Sequence, residues 1–541
     1  MQLSPSAHVD TFCRDNLPPF EAWPEFRFDL PEVRYPTRLN CAVELLDRTI
    51  ERHGAGRACL LSPAPETWTY GDLLRVCNQT AHALVEELDV VPGNRVLLRG
   101  PNNPWLVVTW LAALKVGAVV VTTMPLLRPG ELSTVHDIAR IDLALCDHRF
   151  TEDLVTADLG GAPIVTYGGD ADDDLTRRAA LHPDTFTNVE TAADDVALLA
   201  FTSGTTGRPK ATMHFHRDVL ANADTFSRHV LKPRPDDVFT GTPPLAFTFG
   251  LGGLVVFPLR IGASTVLIEK ATPTELADHI ARHRVTICFT APTAYRAMLA
   301  AGELARLATL RRCVSAGEHL PATTWQAFRD ATGVGIIDGI GSTEMLHIFV
   351  SSADDDVRPG STGRPVPGFQ ATVVDLDGNP LPAGEVGRLA VKGPTGCRYL
   401  ADARQGVYVQ QGWNITGDTF ICDEDGYFWY QARSDDMIIS SGYNIAGPEV
   451  EEALLSHPEV SECAVIGTPD EARGSVVKAY VVLAGSVSGD EVKVKELQDF
   501  VKGQIAPYKY PRRIEFVPAL PRTSTGKLQR FRLREDRASL L

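Results

Sequence analysis

Short apolar strands alternating with helical stretches at a regular spacing confine a chain to a narrow set of folds. Here "RVLLRG" (95–100) precedes "PWLVVTWLAALKVG" (104–117), and "AVVVTTMP" (118–125) follows. The rhythm returns at "ASTVLIEK" (263–270), "PTELADHIARHR" (273–284) and "VTICFTAP" (285–292). Such strand–helix–strand units predict a mostly parallel sheet, with ligands at the carboxyl ends of its strands. The most apolar stretch, Leu106 to Leu127, is interrupted by Lys115, Gly117 and Pro125. That predicts a buried helix running into a buried strand, not a membrane span.

From about Gly363 the pattern shortens. "QATVVDLDG", "GRLAVKG" and "YFWYQAR" are separated by turn signals at Asp377-Gly378-Asn379-Pro380 and Asp425-Gly426, which predicts an antiparallel β section. Beyond "RSDDMIISSG" (433–442) come a helix (448–458), two strands (462–469 and 477–483) and a second helix (491–505). The expected fold class is α/β. A large N-terminal domain, 1–434, holds parallel α/β sheets plus a β section, and a small mobile α+β domain, 435–541, follows. The acidic run "GGDADDDLTRR" (168–178) reads as a solvated surface loop.

The formal charge is −16 and the isoelectric point near 5.4, which argues against a nucleic-acid binder. The 10 cysteines show no C-x-x-C or Cys/His metal spacing and read as reduced core thiols of a cytoplasmic protein. No basic region followed by an apolar run opens the chain, so no secretory signal or membrane partner is expected.

"LLAFTSGTTGRPK" ends a strand in a loop of small, hydroxylated residues that stops on a lysine. Gly204 and Gly207 allow a tight turn and close approach of a ligand. Successive N–H groups, the hydroxyls of Thr202, Ser203, Thr205 and Thr206, and the charge of Lys210 suit a polyphosphate. The loop is not a Walker A motif, because Pro209 occupies the position where that pattern needs glycine.

"TSGTTGRPK" resembles the phosphate loop of the acyl-adenylate-forming enzymes: acyl- and aryl-CoA ligases, peptide-synthetase adenylation domains and luciferases. Four further segments agree in order: "DGIGSTEM" (338–345), "TGD" (416–418), "RSDDMIISSGYNIAGPEVE" (433–451) and "PRTSTGKLQR" (521–530). The resemblance implies two half-reactions, transfer of AMP from ATP to a carboxylate and then displacement of AMP by a thiol. It implies that Lys527 reaches the carboxylate and the α-phosphate, where charge accumulates. It implies that Thr202 to Lys210 hold the β- and γ-phosphates, Thr343 contacts the α-phosphate and Glu344 helps hold Mg²⁺. Asp418 would accept hydrogen bonds from the ribose hydroxyls, with Arg433 nearby. Gly317, Glu318, Asp338, Gly339, Ile340 and Gly341 would frame the nucleotide. Asp435 is the expected hinge, with Asp436 an alternative pivot, and the loop at Gly442 would line the thiol's path after rotation.

"GIGSTEMLHIF" resembles the benzoate-CoA ligase branch, in which the residue matching His347 lies near the aromatic acid. Ala246, Phe247, Phe249 and Gly341 would complete that pocket, small residues leaving room for a ring and phenylalanine packing on it. The stretch 16–48 resembles ligases for 2-aminobenzoate and related acids, so 2-aminobenzoate, salicylate and benzoate are the expected substrate types. Ile340 departs from the adenine-stacking aromatic of many relatives, and Ala432 stands where glycine usually precedes the motif arginine. His214 and His216 read as structural. The leading function is an aryl-CoA ligase using ATP, Mg²⁺ and coenzyme A, with room for a homodimer. Its rivals are a stand-alone enzyme loading a carrier protein's phosphopantetheine, a luciferase-like oxygenase and a silent acid or nucleotide sensor.

Overall fold

The computed structural model describes residues 3–63, 67–202, 209–433, 438–440, 443–470, 474–485, 487, 489–505, 509–522 and 528–535. Two large sheets dominate. In the first, strands run in the order Ile164–Tyr167, Leu143–Asp147, Arg95–Arg99, Val119–Thr123, Val196–Thr202, Lys210–Phe215. Neighbours are parallel except for the last pair, which is antiparallel. In the second, Ala58–Leu61, Ser264–Val266, Val238–Gly241, Ile287–Thr290, Arg312–Ser315 and Ile336–Gly341 are parallel neighbours in that order. Antiparallel strands complete both edges: Thr67–Thr69 on one side, Ile348–Ser351 and Arg364–Pro365 on the other. The strand–helix–strand reading therefore holds for the sheet interiors and gives way at the edges.

Helices fill the space between the sheets. Tyr70–Glu86 starts at a reciprocal cap in which Thr69 and Asp72 satisfy each other's free N–H groups. Pro104–Lys115 starts with Asn103 accepting from Leu106 N and Pro104 in the first turn, where its missing N–H costs nothing. Its last residue, Lys115, is fully buried, and its ammonium meets both Asp47 oxygens at 2.9 and 2.6 Å. Gly117, at φ 76°, turns the chain into Val119–Thr123, the buried strand expected after this helix. No helix among the described residues is long and apolar enough to cross a membrane.

Gln370–Val374, Val386–Lys392, Trp413–Cys422, Val409–Gln410 and Phe428–Arg433 form an antiparallel sheet, as the turn signals predict. A separate C-terminal domain has its own core, with Val450, Leu454, Val465, Val477, Val481, Leu497 and Val501 at its centre. Its sheet pairs Val460–Asp470 with Gly474–Leu483 and adds Arg513–Phe516, flanked by helices Gly447–Leu455 and Glu491–Gln504.

The acidic run at 168–178 is exposed at Asp170, Asp172 and Asp173, as a surface loop requires, but not at Asp174. Asp174 is fully buried: its carboxylate caps Leu175–Ala179 through Thr176 N and also accepts from Gly169 N and Thr166 Oγ1. One aspartate of the run is a structural cap, because three donors converge on it.

Candidate functional site

The phosphate loop joins two paired strands whose ends face each other, Thr202 opposite Lys210. Ser203, Gly204, Thr205, Thr206 and Gly207 lie outside the described residues. Lys210 leaves the hairpin toward a buried tyrosine. Its Nζ donates to Tyr399 Oη at 2.7 Å and lies 4.5 Å above that ring. Tyr399 Oη in turn donates to Glu344 Oε1 at 2.5 Å. Lys210 Nζ and Glu344 Oε1 are 3.7 Å apart. Burial, reinforced by the Glu344 charge, holds the Tyr399 phenol far above its ordinary range, so it stays protonated.

Glu344 sits in a turn pinned from three sides. His214 Nε2 donates to Thr343 O at 2.8 Å, Thr395 Oγ1 donates to Met345 O at 2.8 Å, and Met345 N donates to Ser342 Oγ at 3.2 Å. Ser342 and Tyr408 hydroxyls meet at 3.0 Å. Burial pushes His214 down to about 4, so it is a neutral donor. The structural reading of His214 stands, but its task is specific: it holds the carbonyl beside Glu344. His216 is also buried, with Nδ1 at 3.2 Å from both Cys41 N and Cys41 Sγ. Leu346, at φ 71°, closes the turn in a conformation that large side chains rarely adopt.

Upstream of this turn, the strand Ile336–Gly341 carries Asp338 and Gly339 to the sheet's carboxyl edge. Asp338 Oδ1 is enclosed and makes no hydrogen bond among the described residues. Burial raises the Asp338 carboxyl to about 8, with the Ser315 hydroxyl and the Gly339 backbone opposing only in part. A Cβ on Gly341 would lie 2.6 Å from His347 O, so this close approach requires glycine. Ile340 packs against the main core.

Gly317 has φ 88° and open space where a side chain would be. The Glu318 carboxylate accepts from Arg522 Nη1 at 3.2 Å, and Arg522 Nη2 also reaches Glu462 at 2.7 Å. Ala322 N donates to Glu452 Oε1 at 3.1 Å. These bonds seat the C-terminal domain on the segment expected to frame the nucleotide. Lys527 itself lies outside the described residues, but Arg522 and Leu528, on either side of it, pair as an antiparallel bridge. His319 and Tyr430 stack beside this segment at 5.8 Å with 25° between planes. Asp418 and Arg433 stand opposite each other on adjacent strands, as their pairing in one site requires; the Arg433 side chain is outside the description. Asp435 and Gly442, and the alternative pivot Asp436, also lie outside the described residues.

Four phenylalanines surround His347. Ring centroids lie 4.7 Å away for Phe257, 5.4 Å for Phe226, 5.6 Å for Phe249 and 6.5 Å for Phe289. His347 is 3% exposed, and neither ring nitrogen makes a hydrogen bond of proper geometry among the described residues, although the Phe249 backbone is near. Burial lowers it to about 3. Gly252 leaves this ring its space: a Cβ there would lie 2.4 Å from His347 Cδ2. Phe249 therefore lines the same cluster as His347, whereas Phe247 is 38% exposed and starts the helix Thr248–Leu251. Ala246 O accepts from Thr122 Oγ1 at 3.0 Å, tying this loop to the first sheet.

The donor set fits ATP and a hard cation. The Asp338 acceptor lacks a donor such as an exocyclic amine, Lys210 supplies a cation at the phosphate loop, and Glu344 Oε2 makes no hydrogen bond among the described residues. Tyr399 and Arg522 are what sequence reasoning missed, and His214 was read as structural without its contact to Thr343 O. Only "PRTSTGK" carried a signal, since it placed Arg522 beside a motif lysine.

Fold and site together define an enzyme that activates a carboxylate with a nucleotide. The AMP-binding enzyme family matches residues 46–399, and the AMP-binding enzyme C-terminal domain matches 449–527. The chain belongs to this family. It is 36% identical to the benzoate–CoA ligase of Thauera aromatica over 518 residues, 93% of this chain and 97% of that one. Among solved structures it resembles the anthranilate CoA ligase AuaEII in complex with anthranoyl-AMP, at 35% identity and a TM-score of 0.89, covering 95% of this chain and 100% of the other. A benzoate CoA ligase from Burkholderia xenovorans LB400 is 33% identical, with a TM-score of 0.84 and coverage of 92% and 100%.

Proposed function

We propose that this AMP-forming aryl-CoA ligase takes a benzoate carrying a polar ring substituent, with 2-aminobenzoate the leading acid. The observation that carries the reading is His347: a neutral imidazole, enclosed by four phenylalanines, with neither nitrogen hydrogen-bonded among the described residues. An aromatic box suits a benzene ring. An orphaned imidazole inside it costs free energy until something completes its hydrogen bonds. An amino or hydroxyl group on the ring does so; unsubstituted benzoate does not.

The enzyme uses ATP and coenzyme A. In the first half-reaction a carboxylate oxygen of the acid attacks the α-phosphorus of ATP, and pyrophosphate leaves. Lys527 neutralises the charge that accumulates there, and Lys210 with the hairpin loop holds the departing phosphates. Glu344 would hold Mg²⁺, which supplies charge neutralisation on the phosphates when bound. Asp418 fixes the ribose and Asp338 accepts from the adenine amine. In the second half-reaction the thiol sulfur of coenzyme A attacks the acyl carbon, its proton is lost, and AMP leaves with the bonding electrons. The C-terminal domain swings about Asp435 between the two steps, removing Lys527 and bringing Gly442 to the thiol's path.

Pyrophosphate release with 2-aminobenzoate, salicylate, 3-hydroxybenzoate, benzoate and a medium-chain fatty acid tests the acid. Highest kcat/KM for benzoate or the fatty acid would refute the reading. Offering free coenzyme A against a phosphopantetheinylated carrier protein tests the acceptor.

A further inference from the structure

We propose that Tyr399 is a positioning residue for adenylation, a hydroxyl spacer that keeps the Lys210 ammonium and the Glu344 carboxylate from closing on each other. The inference rests on the roles given above to Lys210 and Glu344.

Lys210 and Glu344 arrive from positions 134 apart in the chain and carry opposite charges in a largely buried site. Their nearest atoms are 3.7 Å apart, outside the roughly 2.8 Å of a direct charged hydrogen bond. Low local polarity makes their attraction strong. Closed on each other, they would satisfy one another and serve neither the phosphates nor a cation. The Tyr399 hydroxyl prevents this by standing between them, acceptor to one and donor to the other. It accepts from Lys210 Nζ at 2.7 Å and donates to Glu344 Oε1 at 2.5 Å, leaving Glu344 Oε2 without a hydrogen bond among the described residues.

The ring is held as a spacer must be. Its segment lies antiparallel against the lysine's own strand: Met213 N donates to Arg398 O at 2.7 Å and Leu400 N to Ala211 O at 2.9 Å. Tyr399 N donates to Gln405 Oε1 at 2.9 Å, and the Tyr408 ring stands edge-on at 5.9 Å. The side chain is fully buried. Nothing in its packing needs an oxygen at that point; the two charges do.

The test is a double-mutant cycle on the full chain, read by calorimetric binding of ATP with Mg²⁺ in the absence of acid, so that no turnover contributes. Tyr399→Phe should weaken binding about 10- to 100-fold, as Lys210 closes on Glu344. In a Glu344→Gln background, where no charge remains to close on, the same change should cost less than about threefold. Thioester formation from supplied aryl adenylate should be spared in Tyr399→Phe. Unchanged ATP binding in Tyr399→Phe would overturn the proposal, as would an equal loss in both backgrounds, which marks a packing defect. Glu344→Gln that leaves both Mg²⁺ dependence and adenylation intact would refute the role of Glu344 itself, and the spacer would lose its purpose. If Tyr399→Phe does not fold, site-specific 3-fluorotyrosine keeps the shape and strengthens the donor. It should shift the Mg²⁺ dependence of ATP binding at an unchanged melting temperature; no shift would overturn the proposal.

Discussion

Replacing His347 with leucine separates a structural histidine from one kept for a ligand. The volumes are similar, so cavity and crowding effects are small. The imidazole is 3% exposed with both nitrogens unpaired among the described residues, and an unsatisfied buried polar group costs about 1–3 kcal/mol. Leucine removes that cost. It forfeits the ring contacts, of which the 4.7 Å edge-on approach of Phe257 is the tightest, worth about 0.5–1.5 kcal/mol. The balance lies between about −0.5 and 2.5 kcal/mol in favour of the variant. The gain should grow as pH falls. Burial holds folded His347 at about 3, below its unfolded value, so the unfolded chain binds the extra proton below about pH 6.5 and wild type loses stability there.

The same change should damage catalysis selectively. With 2-aminobenzoate a buried amino group would be left unpaired, and kcat/KM should fall about 5- to 150-fold. With benzoate it should stay within about threefold. Urea unfolding of the large domain at pH 5.5 and 8, with pyrophosphate release for the two acids, reads both halves. A loss of more than about 2 kcal/mol would show that the imidazole is satisfied in the free enzyme. Equal losses for the two acids would remove His347 from substrate recognition.

Lys527→Ala should cut adenylation at least about 10²-fold while sparing thioester formation from supplied aryl adenylate; equal damage to both steps, read by rapid quench, contradicts the division of labour. Arg522→Ala removes the bond to Glu318 that seats the C-terminal domain on the nucleotide segment. It should slow adenylation about 3- to 10-fold, by single-turnover measurement, with little effect on thioester formation. Asp338→Asn should flatten the pH dependence of stability. The folded carboxyl is raised to about 8, so its contribution is greatest below the unfolded value near 3.8 and is lost as pH rises toward 8. Wild type should therefore lose stability relative to Asp338→Asn between pH 5 and 8 in chemical denaturation, and parallel profiles would show that Asp338 is ionised in the folded chain.

Much of this was legible because it is local. Periodicity marked the helices Pro104–Lys115, Pro273–Arg282 and Glu491–Gln504 and the strands beside them, since burial of one face repeats along the chain itself. The family resemblance, through its ordered motifs, put Asp338, Glu344 and Asp418 in one expected nucleotide site. What the sequence concealed is pairwise and distant. Tyr399 meets a lysine 189 positions away, His214 holds a carbonyl 129 positions on, and Arg522 reaches Glu318 across 204. None of these residues stands out in its own neighbourhood, and charge or aromaticity alone does not tell which partner a fold will supply. Asp174 shows the converse: four acidic side chains in an eleven-residue run looked alike, yet three converging donors made one of them a buried cap.

On the roles proposed above, the ten residues from Asp338 to His347 would connect the adenine end of the site to the aromatic acid, and their geometry couples the two. The strand ends at Gly341, where pairing with Ile348–Ser351 shifts register and where any side chain would strike His347 O. The turn that follows carries Thr343 and Glu344, the proposed phosphate and Mg²⁺ contacts, and, through Leu346 at φ 71°, returns His347 into the phenylalanine box. A rigid turn held by His214, Thr395 and Ser342 cannot move one end without the other. An acid that displaces His347 therefore shifts Glu344 and the phosphates it serves, so a poorly fitting acid is penalised in the rate of AMP transfer as well as in its own binding. Discrimination among benzoates should accordingly appear in kcat of pyrophosphate release; acids that differ only in KM would show that the turn yields.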